Sequence, residues 1–534
     1  MILIGERMPF KNENTYYLAT INGDGEEFHE RFEASYASLL ERTGDSAMDY
    51  PNIVGGEEVI SEKQYGDTCP YNTSLLIGRF QRASEKEVAQ AVEVAKSAFD
   101  SWGHKGFPLR IEIMARATVL MREEKFNLAA AVTLDNGKNR YEAIADVDEA
   151  IDFLNFYSEE MRRNHGFCQE AIAPFPEEYT KSVMRPFGVW AVICPFNFPV
   201  AITTGMMVGA LITGNTVVVK PSSSVPLPVY MVAKIFHRAG VPQDALNFIS
   251  ASGSVIGRTL ITNPDVSGIV FTGSKAVGYD ILGNSLINHP RPVIAEMGGK
   301  NPIIVTSKAN LEWALEGAIR SAFGFGGQKC SACSRLYLQN DIYSEFLSKF
   351  VERTKDLRVG NPSQREIYMG PVIHDEAYED FRKYAEMAKR DGDVVAGGEI
   401  LTGDGMDMGY FVQPTVVAGL PEDHFLVKNE LFLPFVCVQK FESLEEALDK
   451  ANDIEYGLTA GIFSDSEEEI EYFFKHIQAG VVYANRIRGG STGAMVGGQP
   501  FGGWKSSGST GKGAGGPNYL TQFLREQSRT ICEN

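Results

Sequence analysis

The sequence predicts an α/β protein with two parallel-sheet lobes. Three observations predict it. Short β-branched runs alternate with helical patterns, the runs contain few polar residues, and 534 residues are too many for one hydrophobic core. Apolar strands without polar alternation, separated by helices, form parallel sheets covered on both faces. Each crossover is expected to be right-handed.

The elements follow in order. Residues 1–70 are irregular in pattern and read as an N-terminal arm. Ser84-Glu85-Lys86-Glu87 is a capping box, after which Val88, Ala91, Val92, Ala95 and Phe99 share one helical face. A second amphipathic helix is expected near 110–128 and a third near 143–161. The first strand series is 189–193, 216–219, 246–249, 268–272 and 293–296. The second is 302–305, 335–338, 394–396, 435–439 and 481–484. Residues 167–186 alternate in character and suit a protruding hairpin. The tail after Gly489 is Gly-rich and ends in 519–530, an edge strand that docks elsewhere. Hairpin and tail together are read as a small β oligomerisation flap, which points to a homo-oligomer.

Composition excludes some classes. With 50 basic and 69 acidic residues the net charge is -19, which disfavours nucleic acid and anionic membrane as partners. The seven cysteines are odd in number and lack framework spacing, so a reduced, cytoplasmic setting is expected. Glu6 and Arg7 interrupt the first apolar stretch, which argues against a signal peptide. The segment between Arg185 and Lys220 is uncharged and long enough to span a bilayer. Pro195, Asn197, Pro199, Gly205, Gly209 and Gly214 interrupt it, so it is read as two buried strands flanking a buried helix.

Several strand ends carry candidate chemistry. Gly273-Ser274, after the run ending at Thr272, could bring backbone N–H groups and a helix N-terminus to a pyrophosphate, although alone it reads as a tight turn. Lys220, also past a strand, could contact ribose hydroxyls or be a solvated strand end. Cys330 follows the turn Gly324-Phe325-Gly326-Gly327, where the start of a helix would lower its thiol pKa. It could equally be a small buried hydrophobe, a redox partner of Cys333, or half a zinc site; no second ligand pair with metal spacing exists, so no metal is expected. Glu296 precedes a Gly turn and suits a general base, or else pairs with Lys300. Asn197, pinned between Pro195 and Pro199, suits an oxyanion hole, or else simply forms a turn.

The order of these motifs is more specific than any one of them. Pro-Phe-Asn-Phe-Pro, Lys-Pro-Ser, Phe-Thr-Gly-Ser, Glu-Met-Gly-Gly-Lys, Gly-Gln-Lys-Cys, Glu-Leu-Phe-Leu-Pro and Pro-Phe-Gly-Gly occur in that order over about residues 70 to 530. Together they resemble the aldehyde dehydrogenase superfamily. The segments 321–335, 491–496, 499–503, 515–520 and 149–154 resemble its branch acting on glutamate γ-semialdehyde. The resemblance implies a nucleophilic Cys330, an oxyanion held by Asn197 with the Cys330 N–H, and water activated by Glu296. It implies NAD bound by Lys220, Ser223, Gly273, Ser274, Glu430 and Phe432. It implies an amino-acid aldehyde gripped at its α-carboxylate by Ser331, Gly493 and Ala494, packed by Phe501 and faced at its ammonium by Glu142. It further implies two Rossmann-like lobes, a dinucleotide-binding domain of 71–166 and 186–297 and a catalytic domain of 298–489, with 167–185 and 490–534 as oligomerisation or bridging segments.

Three departures stand out. Phe196 replaces the usual Trp. Leu433 replaces the usual Gly, which bears on the loop shape at Glu430. Ser223 stands where many NAD-specific members have Glu, which removes repulsion against a 2′-phosphate and opens the site to NADP. Two readings from other classes compete. Gly489-Gly490-Ser491-Thr492-Gly493 fits a serine-hydrolase elbow but runs into glycines rather than a helix. A non-catalytic protein with this fold is opposed by the joint presence of Cys330, Glu296 and Asn197. Within aldehyde oxidation, succinic semialdehyde is the alternative substrate.

Overall fold

The computed structural model describes residues 10–286, 289–487 and 495–532. The first predicted series forms Val189–Ile193, Thr216–Lys220, Leu246–Phe248, Val266–Thr272 and Val293–Glu296, a parallel sheet. Its two faces pack separate cores. Val189, Ala191 and Ile193 meet the Val88–Ala95 face of the helix Glu85–Gly103. Trp190, Val192, Val217 and Val219 meet the helices Phe107–Glu123, Arg140–Arg163, Ala201–Ile212 and Leu227–Ala239. Chain order runs outward from Val189–Ile193 in both directions, so a topological switch lies between that strand and Val266–Thr272. The carboxyl ends of the strands at such a switch form a ligand crevice.

The second series forms Asn301–Val305, Cys333–Gln339, Asp393–Ala396, Phe435–Phe441 and Val481–Ala484, joined by Thr415–Ala418 and Thr459–Phe463. Neighbours are parallel except at Asp393–Ala396, which is antiparallel.

Three elements differ from expectation. Residues 10–70 are not irregular: they carry the helices Thr15–Asn22 and Gly25–Leu40, and the second buries Phe28, Phe32 and Tyr36. Asn52–Val54 and Glu57–Val59 then extend the first sheet antiparallel beside Leu246–Phe248. The second amphipathic pattern is two helices, Phe107–Glu123 and Lys125–Asn136, because the backbone breaks at Glu124 while the apolar spacing continues. The predicted hairpin is Cys168–Ala171 against Glu178–Pro186, and the tail strand Leu524–Cys532 pairs with Glu178–Pro186 of its own chain. Among the described residues no helix is long and apolar enough to cross a membrane.

Candidate active site

Glu296 ends the first sheet, and Met297 to Lys300 lead directly into Asn301–Val305 of the second. Cys330 lies just before Cys333–Gln339, after a turn in which Phe325, Gly326 and Gly327 all have positive φ, at 49°, 60° and 66°. Asn301 locks the cysteine loop to the inter-lobe crossing. Its Nδ2 donates to the carbonyls of Cys330 at 2.8 Å and Ala332 at 2.9 Å, while its Oδ1 accepts from Thr459 N. Cys330 is half-buried; Cys333 is buried in the core of the second lobe, its thiol toward the Arg335 carbonyl. That placement argues against the redox-pair and zinc readings.

The electrostatics correct one expectation. No helix starts at Cys330, and its thiol pKa is raised, by burial first and then by the carboxylates of Glu430 and Glu296. Both carboxylates are raised too. Burial lifts Glu296 to about 8, against one N–H from Gly503 to Oε2 at 2.9 Å. Burial lifts Glu430 to about 7, against the Gly299 N–H at 2.9 Å. Glu296 does not pair with Lys300, whose buried Nζ has no hydrogen-bond partner. Two glycines make this approach possible. A Cβ on Gly298 would lie 1.9 Å from Glu430, and one on Gly503 would lie 2.4 Å from the Ser507 backbone.

Asn197 sits in the loop between Val189–Ile193 and Ala201–Ile212, 3% exposed, with its Oδ1 unpartnered. Neighbouring groups fix that loop from both sides. Asn136 Nδ2 donates to the Phe196 carbonyl. Asp146 accepts from Ala201 N at 2.8 Å and pairs with Lys138 at 3.2 Å, and the Lys138 ammonium lies 3.7 Å from the centre of the Phe198 ring. A loop held this firmly suits the Asn197 amide to a developing oxyanion, because a preorganised donor needs no reorganisation during reaction.

The strand ends at the switch carry groups that suit a dinucleotide. Lys220 ends a central strand, buried, its Nζ on the Pro221 carbonyl, and burial lowers its pKa to about 8. Ser274 caps the helix Lys275–Asn284, accepting from Val277 N, and Gly273 N donates to the Glu296 carbonyl. That helix N-terminus at the switch supplies a positive dipole end. Ser223 is exposed, its hydroxyl on the Ala251 carbonyl at 3.3 Å. Across the crevice Phe432, at φ 58°, sets its ring edge-on to Phe196 at 5.6 Å. Leu433 is buried and its carbonyl packs on Gly327, so the unusual residue is absorbed by left-handed backbone at Phe432.

Of the substrate candidates, Ser331 is buried beside Cys330, its carbonyl accepting from Thr459 Oγ1. Glu142 forms an ion pair with Lys329, the residue before the cysteine. Phe501 is half-buried and pairs its backbone with Ala514. Gly493 and Ala494 lie outside the described residues, as does Ser491. Sequence reasoning missed Asn136 and Asn301, which hold the backbone carbonyls of Phe196 and Cys330, and the pair Lys138 and Asp146, which meets the Phe198 ring and the Ala201 N–H.

The fold is that of an aldehyde-oxidising oxidoreductase, and the chain belongs to the aldehyde dehydrogenase family, whose model matches residues 59–528. It is 38% identical over 531 residues to a 1-pyrroline-5-carboxylate dehydrogenase of Anoxybacillus flavithermus, covering 98% of this chain and 99% of that one. It is 39% identical over 507 residues to a 1-pyrroline-5-carboxylate dehydrogenase of Geobacillus kaustophilus, covering 94% of this chain and 96% of that one. The solved 1-pyrroline-5-carboxylate dehydrogenase from Thermus with bound NAD superposes with a TM-score of 0.92 at 35% identity, covering 99% of this chain and 100% of that one. A Staphylococcus aureus betaine aldehyde dehydrogenase in complex with NAD+ gives 0.88 at 28% identity, covering 94% and 97%.

Proposed function

We propose that this chain oxidises L-glutamate γ-semialdehyde, the open form of 1-pyrroline-5-carboxylate, to L-glutamate with NAD. The observation that carries the reading is similarity over nearly the whole chain to relatives of that name. When bound, NAD supplies the hydride acceptor. The Cys330 thiol gives its proton to water as its sulfur attacks the aldehyde carbon, and the Asn197 amide and the Cys330 N–H receive the oxyanion. Loss of hydride leaves a thioester on Cys330. Glu296, ionised, takes a proton from water, which attacks the thioester and releases the acid and the thiol. Lys220, Gly273, Ser274 and Ser223 hold the adenosine and pyrophosphate end, and Glu430 with Phe432 holds the nicotinamide ribose. Ser223 brings no negative charge, which leaves the site open to NADP. Ser331, Gly493 and Ala494 grip the α-carboxylate through a nest of donors, Phe501 packs the carbon chain, and Glu142 faces the ammonium.

The test follows NADH formation with L-glutamate γ-semialdehyde and with succinic semialdehyde. Higher kcat/KM for the first is expected; higher kcat/KM for the second would overturn the substrate. We also propose a homo-oligomer joined through the three-stranded flap, supported by exposed Ile172, Phe175 and Ile531 upon it. The domain division given above is proposed with it, supported by the separate sheets. A cytoplasmic setting is supported by seven unpaired cysteines.

A further inference from the structure

The two donors assigned to the oxyanion come from different lobes. Asn197 follows the first-sheet strand Val189–Ile193, and Cys330 precedes the second-sheet strand Cys333–Gln339. Their separation is therefore set by contacts between the lobes. Gln328, two residues before the cysteine and fully buried, stands at such a contact with both polar atoms engaged. Its Nε2 donates to the carbonyls of Phe325 at 3.3 Å and Pro371 at 3.4 Å, and its Oε1 accepts from Ile373 N at 2.9 Å. The first of these bonds closes the left-handed turn before Cys330, in which Phe325 is not a glycine. Backbone of that kind persists only where its surroundings over-determine it. The other two bonds reach the segment 370–374, which leads into the helix Asp375–Asp391.

That segment rests in turn on the first lobe. A Cβ on Gly370 would lie 2.1 Å from the Gly137 carbonyl oxygen, and one on Gly137 would lie 3.1 Å from Pro371. Asn136, the residue before Gly137, donates to the carbonyl of Phe196, the residue before Asn197. The His374 ring lies 6.3 Å from the Phe196 ring. An unbroken series of contacts thus runs from Phe196 through Asn136, Gly137, Pro371 and Gln328 to the cysteine turn. We infer that Gln328 is a positioning residue for the oxyanion hole, setting the distance between the Asn197 amide and the Cys330 N–H through the segment 371–373. This rests on the function proposed above, which assigns the oxyanion to those two donors. Two donors serve one oxygen only when both stand within reach of it, and a displacement of about 1 Å is enough to cost much of the rate. An apolar side chain at 328 would leave the Pro371 carbonyl and the Ile373 N–H unpaired in the interior, and the turn and the segment would move apart to satisfy them.

The experiment uses the full chain with Gln328→Met and Asn136→Ala, which break the series near its two ends, each alone and in an Asn197→Ala background. Single-turnover NADH formation from L-glutamate γ-semialdehyde reads the rate, and calorimetry reads the Kd of NAD. Each variant alone is expected to lower the rate about tenfold with the Kd of NAD within about twofold. In the Asn197→Ala background the same change should cost less than about twofold, because the donor being placed is gone. A full tenfold fall in that background would overturn the inference, since the loss would then be general loosening. An unchanged rate in both variants would overturn it too, as would a Kd for NAD raised in step with the rate. Should Gln328→Met not fold, the Asn136→Ala cycle decides alone. If Asn197→Ala by itself reacts at a near-normal rate, the oxyanion assignment in the proposed function has failed, and the inference falls with it.

Discussion

At the scale of the residue, Cys330 is not a ready-made thiolate. Burial and two neighbouring carboxylates all oppose its ionisation, so the proton must leave as the reaction proceeds. Cys330→Ala is expected to abolish turnover; measurable steady-state NADH production by that variant would end the nucleophile assignment. Glu296 can act as a base only when ionised, and burial holds its pKa at about 8. The rate of thioester hydrolysis is therefore expected to rise with pH through about 8. Glu296→Gln should keep a first-turnover burst of NADH yet lose that rise, and a pH-independent rate in the unmodified enzyme would exclude the assignment. Asn197→Ala should lower kcat on the order of 10²–10³, the usual cost of one oxyanion donor. These three residues were legible because each stands at a strand end or turn punctuated by Gly or Pro. Asn301 was not, since its work is to hold two carbonyls some thirty positions away.

At the scale of the element, the loop bearing Asn197 depends on the pair Lys138 and Asp146, both fully buried. Burial pushes the Lys138 ammonium down and the Asp146 carboxyl up, so each depends on the other. Removing one partner leaves a buried group uncompensated, at about 3–5 kcal/mol. Asp146→Ala is therefore expected to lower the unfolding free energy by that amount, read by chemical denaturation, and to reduce kcat as the Ala201 N–H loses its acceptor. The double variant Lys138→Met/Asp146→Leu should recover stability but not rate. If the double variant recovers both, the pair does not position Asn197. Nothing in the sequence signals this pair, because the two residues fall on either side of a helix start. Similarly, Thr459–Phe463 was missed because Ala460 and Gly461 dilute its β-branched pattern, and Thr415–Ala418 because it is short and lies between Pro414 and Gly419. The helix Gly25–Leu40 was missed although Phe28, Phe32, Tyr36 and Leu39 share one face, because charged and small polar residues fill the positions between them.

At the scale of the whole molecule, two lobes were legible from strand composition, but the docking of residues 10–70 was not, since it is specified by partners elsewhere in the chain. One such partnership gives stability a pH dependence. Asp67, on the strand Gln64–Cys69, and Asp135, on the helix Lys125–Asn136, are buried against each other, and Asp135 also accepts from Leu227 N. Burial and mutual repulsion raise Asp67 well above its ordinary range; burial raises Asp135 to about 7. The native state thus holds protons that the unfolded chain releases near pH 3.8. A carboxyl whose folded pKa is raised stabilises fully below its unfolded pKa and loses that contribution as pH climbs through the folded value. The pair should therefore cost stability progressively between about pH 4 and 8, as negative charge is forced between the arm and the first lobe. Asp67→Asn removes one ionisable group while keeping its shape, and is expected to flatten this slope and to gain stability at pH 8 relative to pH 5. Chemical unfolding at those two pH values measures it; an unchanged slope in the variant would mean that the two carboxyls do not share their proton in the folded protein.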